Sequence, residues 1–167
     1  MADETSDAVA REAAWLARSG DGLPALLKAD GGLWDVVQAY WPGDRLASEM
    51  SGIYVTRSQL DDDHPSAWRY RPRHVFRLKL AWPVNTAASP PAETEQQTFD
   101  DAIGDLLRRI RGPLGDKTHG GRFLSVAEVP TEKSVTVAFD DPEITIPATK
   151  ELRATVTYYA DDSEFSG

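Results

Sequence analysis

The side chains able to do chemistry are few and scattered. His64, His74 and His119 lie far apart, and none has a second ligand at the short spacing that zinc sites use. His64 follows Asp61-Asp62-Asp63, a run able to attract a cation, but a solvated acidic loop accounts for it more simply. Carboxylates pair again at Asp140-Asp141 with Glu143, and at Asp161-Asp162 with Glu164. A calcium loop needs ligands at fixed positions and a glycine at its bend, which neither cluster has. General acid–base catalysis needs carboxylates in a dry pocket with separated pKa values, and exposed turns do not supply one. Gly115-Asp116-Lys117-Thr118 lacks the Gly-Lys pair and the upstream glycine of a phosphate loop. The chain has no cysteine, which excludes a disulfide framework, thiolate metal sites and a cysteine nucleophile. The sequence holds no nucleophile elbow, dinucleotide fingerprint or nucleic-acid module. The expectation is a protein with no catalytic residue, no cofactor and no metal.

Residues suited to protein contacts are more prominent. Arg108, Arg109 and Arg111 close a helical stretch, where they complement the helix dipole and could also meet an acidic neighbour. Trp41, Trp68 and Tyr70 fall in loops, and exposed aromatic residues often anchor interfaces. Arg153 and Tyr159 lie on the outward face of a predicted strand, and Phe165 lies in the tail after it. Trp68, Tyr70, Arg108, Arg109, Arg153, Tyr159 and Phe165 are therefore the candidate interface residues.

The frame for these residues is one domain. The chain has 167 residues, 41 % of them hydrophobic, enough for a single core. The net charge of −9 argues against binding a polyanion, although an acidic surface could line a passage for DNA. The N-terminus is acidic and polar, unlike a secretory signal, and no apolar run approaches the ~20 residues of a membrane span. A soluble protein made in the cytoplasm is expected.

Periodicity predicts the elements. Val9, Ala13 and Leu16 recur at helical spacing after Ser6, giving a helix from about Asp7 to Arg18. A second short helix is expected over Leu33 to Tyr40. Gly52 to Thr56 reads as a strand, and Asp61 to Pro65 as a loop. In His74 to Val84, Phe76, Leu78, Leu80 and Trp82 alternate with Arg77 and Lys79, the pattern of a sheet with one buried face. Asn85 to Glu95 reads as a flexible connector, with a helix start at Thr94 or Thr98. Phe99, Ile103, Leu106, Leu107 and Ile110 then form one apolar stripe, stopped by Gly112-Pro113. Strands are expected at Arg122 to Val129, Ser134 to Phe139 and Glu151 to Tyr159, with a short extended piece at Ile144 to Ile146. On the last strand Leu152, Ala154, Val156 and Tyr158 should pack on the Phe99–Ile110 helix, with Arg153, Thr155, Thr157 and Tyr159 pointing away. Residues 160–167 form a polar tail. The predicted fold is α+β: a mainly antiparallel sheet of about four to five strands, packed by a long central helix, with helices at a flexible N-terminus.

The stretch Leu152-Arg153-Ala154-Thr155-Val156-Thr157-Tyr158-Tyr159-Ala160-Asp161-Asp162-Ser163-Glu164-Phe165 resembles the ends of tail terminator, or tail completion, proteins of tailed phages. The Phe99-to-Ile110 helix and the Arg122-to-Val129 strand are similar too, so the likeness covers roughly the last hundred residues at the level of pattern. It implies a structural subunit, not an enzyme. Such subunits form a hexameric ring on the head-proximal end of the tail tube and join it to the head–tail connector, with DNA only as passing cargo. Related caps of contractile injection devices also touch the sheath. The implied location is the virion tail. Another head–tail connector or head-completion subunit is the alternative within this class, and a small ligand-binding domain or enzyme the alternative outside it.

Overall fold

The computed structural model describes residues 4–20, 22–43, 50–66, 69–84, 91–111, 118–119, 123, 125–126, 135–161 and 165–166. The alternating stretch around His74 to Val84 is the spine of the sheet. It belongs to β3 (Arg69–Pro83), which pairs antiparallel with β2 (Gly52–Ser66) on one side and β6 (Glu151–Asp161) on the other. Beyond β2 lies β1 (Val36–Ala39), joined in parallel. Along the far edge of β6 run two short strands, β4 (Ser125–Val126) opposite Asp161 and Ala160, and β5 (Val135–Phe139) opposite Tyr158 to Ala154. β7 (Phe165–Ser166) pairs with β3 at Tyr70 and Arg69, beyond the end of β6. The result is an α+β fold whose sheet is antiparallel except at β1.

One face of the sheet is buried. Ile53 and Val55, Phe76, Leu78 and Leu80, and Leu152, Ala154, Val156 and Tyr158 pack inward, each almost fully buried. The apolar stripe of α2 (Pro91–Arg111) meets them with Phe99, Ala102, Ile103, Leu106 and Ile110, and α1 (Glu4–Leu16) adds Ala8, Val9, Trp15 and Leu16. Burial of each large side chain stabilises the fold by about 1.5–3 kcal/mol. Trp34 is fully buried between these layers; its indole N–H donates to the carbonyl of Ala102, and it meets Trp82 edge-to-face. Among the described residues no helix is long and apolar enough to cross a membrane.

Several local expectations change. Leu33 to Tyr40 is not a helix: Val36 to Ala39 form β1 along Gly52 to Val55. The β-branched pair Val36-Val37 suits a strand, and the chain before it makes a tight reversal. There Gly31 has φ 94°, and a Cβ on Gly32 would lie 2.3 Å from the Leu26 backbone. The expected loop at Asp61 to Pro65 is strand. The β2–β3 pairing runs on to Ser66 opposite Arg69, with a register shift between Arg57 and Gln59. The α2 helix starts at Pro91 rather than at Thr94 or Thr98, so the connector is shorter than expected; proline is pre-set for the first helical turn.

Ile144 to Ile146 is not extended but helical, within α3 (Pro142–Thr149). The Asp141 side chain accepts from the Glu143 N–H at 2.9 Å and Pro142 opens the first turn, a capping signal that outweighs the β-branched residues after it. Ala160 and Asp161 belong to β6 and Phe165–Ser166 to β7, so half of the expected tail is sheet, and its other residues lie outside the described residues. Of the strand expected at Arg122 to Val129, Ser125–Val126 is seen; its other residues except Phe123 lie outside the described residues, as do the N-terminal residues 1–3 and residues 85–90 of the connector.

Candidate interaction site

The other face of the sheet is open. Odd-numbered residues of β6, and those of β3 from Arg73 to Ala81, point to it, and the register sets them in rows. Arg153 stands beside Ala81 and Gly52; Thr155 beside Lys79 and Tyr54; Thr157 beside Arg77 and Thr56. A depression of 350 Å³ lies there, and a second, of 300 Å³, lies at the sheet's edge between α2 and the β5–β6 pair; both include Asp140 and Arg153. Trp41, Thr56, Lys79 and Thr155 line the first; Phe99, Phe139 and Leu152 line the second.

Arg153 is the hub. Its Nε donates to the buried Glu151 carboxylate at 2.7 Å, its guanidinium lies 5.5 Å from the Trp41 ring centre, and its carbonyl accepts from the Asp140 N–H at 3.0 Å. Trp41 in turn meets Tyr54 edge-to-face at 4.9 Å. Gly52 leaves room for this arrangement, since a Cβ there would lie 2.5 Å from the Tyr54 ring. Trp41, which lines the first depression, and Phe139, which lines the second, are 37 % and 56 % exposed. Arginine and tryptophan around shallow depressions form the kind of surface on which protein partners anchor.

The face is also polarised. Arg73 grips Asp161 with Nε at 2.6 Å and Nη2 at 3.2 Å, and these hydrogen bonds raise the Arg73 pKa further. Its guanidinium lies 5.6 Å from the Tyr159 ring centre, so Tyr159 is partly covered. Among the described residues no carboxylate pairs with Arg77 or Lys79. In a chain of net charge −9, these are cations with no counterion among the described residues.

Of the candidate interface residues, Arg153 and Tyr159 therefore share this face. Arg108 is exposed on α2 and pairs with Asp105 at 3.4 Å. Tyr70 and Phe165 are joined by backbone pairing of β3 with β7. Trp68 lies outside the described residues. Arg109 is fully buried, so it is not a surface contact; the helix turns it inward, where it donates to the Trp15 carbonyl at 2.8 Å and lies 4.6 Å from that ring's centre. Sequence reading of the site missed Lys79, Arg77, Asp140 and Phe139. Lys79 and Arg77 were legible as the outward half of the β3 alternation.

A second polar cluster is dry. Glu12 of α1, His119 and Tyr158 of β6 are all buried. His119 Nε2 lies 2.7 Å from the carbonyl of Ile110, which requires that nitrogen to carry a proton. Its Nδ1 lies 2.6 Å from Glu12, and one shared proton joins them. The Tyr158 hydroxyl donates to the other Glu12 oxygen, and burial together with the Glu12 charge pushes the Tyr158 pKa well above its usual value. His119 also stacks on Trp15 at 3.6 Å. This cluster ties α1, α2 and β6 together and borders neither depression. Among the described residues no group of His, Cys, Asp or Glu is placed to hold a metal ion. No protein-family model matches the chain, and no curated protein matches it.

Proposed function

We propose that this protein is a structural assembly subunit that closes into a ring and caps the end of a tube, as its resemblance to phage tail terminators implies. The observation that carries the reading is the open sheet face, where Arg153, Trp41 and Lys79 frame a depression that adjoins a second one at the sheet's edge, lined by Phe139. A sheet with one face packed by helices and the other lined with anchor-type side chains is suited to burial against protein. Its partners would be further copies of itself, a tail tube protein, a head–tail connector protein and, in a contractile device, the sheath. DNA would pass through as cargo. The working location would be the virion tail or its injection-device equivalent.

The test is to polymerise a cognate tube protein with and without this chain and to image the products by negative-stain electron microscopy. Short tubes bearing a ring at one end support the reading. Tubes of unchanged length with bare ends, and no bound chain, would contradict it.

A further inference from the structure

The first depression is built like a receptor for a small anion. It lies over β3 and β6, where Lys79 and Thr155 are cross-strand neighbours and Arg153 stands two residues back along β6. Trp41 is its aromatic wall. Tyr40, the residue before it, has φ 67°, a left-handed conformation that bulky side chains rarely adopt, and its N–H donates to the Val55 carbonyl at 2.8 Å. The chain therefore leaves β1 in a fixed turn that carries Trp41 onto the sheet face. There it packs on Tyr54, which points outward yet is only 2 % exposed.

The polar groups around this wall are donors in want of an acceptor. Lys79 is half-buried, and among the described residues its ammonium has neither a hydrogen bond nor an ion pair. The Thr155 hydroxyl likewise has no partner among the described residues. Arg153 commits its Nε to Glu151, which leaves its two Nη groups without a hydrogen bond among the described residues. An ammonium, a guanidinium and a hydroxyl together match a carboxylate, which accepts only. Asp140 limits the charge. It stands on the β5 side of Arg153, away from Lys79, and its own negative charge repels a second one on the ligand. The Trp41 ring offers a flat apolar surface for stacking. A volume of 350 Å³ sits at the small end of ligand sites, which run from about 300 to 1,000 Å³, and has room for one or two rings.

We propose that this depression binds a small aromatic monocarboxylate, its carboxylate on Lys79, Thr155 and Arg153 and its ring on Trp41. The site shares the open face with the ring reading but does not rest on it. Arg153 also serves the fold through Glu151, so Lys79 and Trp41 are the cleaner probes.

The test is equilibrium dialysis of 2-naphthoate against the full-length protein, at a concentration where it is monomeric. Binding is expected, and Lys79→Met and Trp41→Ala should each weaken it at least about tenfold while melting like the wild type. Neutral 2-naphthamide, which lacks the charge, and acetate, which lacks the ring, should also bind at least about tenfold more weakly than 2-naphthoate. 2-Naphthyl phosphate carries about two negative charges at neutral pH; it should bind the wild type less tightly than 2-naphthoate does, and gain affinity in Asp140→Asn. If Lys79→Met fails to fold, Lys79→Gln should show the same loss. No binding of 2-naphthoate, equal affinity for 2-naphthoate and 2-naphthamide, or wild-type affinity in both variants would overturn the proposal. Binding lost in Phe139→Ser but kept in Trp41→Ala would place the ligand in the second depression, and so overturn it too. Because dialysis needs only the monomer, a chain that never forms a ring would overturn the ring reading alone.

Discussion

Replacing Glu12 distinguishes a buried hydrogen-bonded network from simple packing. Its carboxylate is fully buried and holds two groups, the Tyr158 hydroxyl and His119 Nδ1. Glu12→Leu fills much the same space but removes both acceptors. Breaking a buried pair by deleting one member costs about 3–5 kcal/mol. For a domain of this size each kcal/mol shifts Tm by about 2–4 °C, so the melting point should fall by roughly 6–20 °C. Glu12→Gln behaves differently. Its amide oxygen can accept from Tyr158, and its amide N–H can donate to Nδ1 of neutral His119, whose other nitrogen keeps its proton on the Ile110 carbonyl. Every partner stays satisfied, and the cost should be near 1 kcal/mol, or about 2–4 °C. Calorimetry of the three proteins at neutral pH reads the difference. Equal losses for the Leu and Gln variants, or a Leu loss below about 1 kcal/mol, would refute the reasoning.

Three other outcomes follow from the same geometry. Because the folded-state pKa of Tyr158 lies well above 10.0, its contribution is complete below pH 10.0 and should be lost as pH rises through the folded value; urea unfolding of Tyr158→Phe should show a shallower alkaline decline than wild type. Burial raises the Asp35 pKa, but hydrogen bonds from Lys28 and Ser51 outweigh it and leave the folded value below 3.8. Its contribution is therefore present above pH 3.8 and lost as pH falls through that lower value, and Asp35→Asn should flatten the acid limb. Gly52→Ala would push a methyl group into the Tyr54 ring, so unfolding in urea should show a loss of about 1–3 kcal/mol, with a change in tryptophan fluorescence as Trp41 shifts.

Elements that bury a face were legible, and several that do not were missed. Phe76, Leu78, Leu80 and Trp82 alternate because each inward residue meets α2 or its neighbours, and the α2 stripe is the matching pattern at helical period. The outer β2–β3 arm gives no such signal: its side chains around Leu60 and Asp61 are exposed, so nothing selects an apolar alternation. β1 is four residues long and is fixed by pairing with β2, a long-range contact that local propensity does not contain. The capping signal of α3 was present in Asp141-Pro142-Glu143, but the β-branched run after it pointed the other way. At the site, Arg153 and Tyr159 were found because β6 alternates without a break. Arg109 was misplaced because a basic run at a helix end looks solvated until helical phase turns one member inward. The buried Glu12–His119–Tyr158 network joins residues 107 and 146 positions apart from Glu12, and no spacing rule reaches that far.

The central claim is that this chain is a ring-forming subunit, and its mass in solution tests it most directly. Sedimentation velocity on the purified full-length protein over a range of concentrations, with negative-stain images of the same samples, reads both mass and shape. The account predicts a single closed species with the mass of a ring, hexameric by resemblance, in equilibrium with monomer at low concentration. A sharp monomer of 18.4 kDa at every concentration, unchanged when tube protein is added, would contradict it.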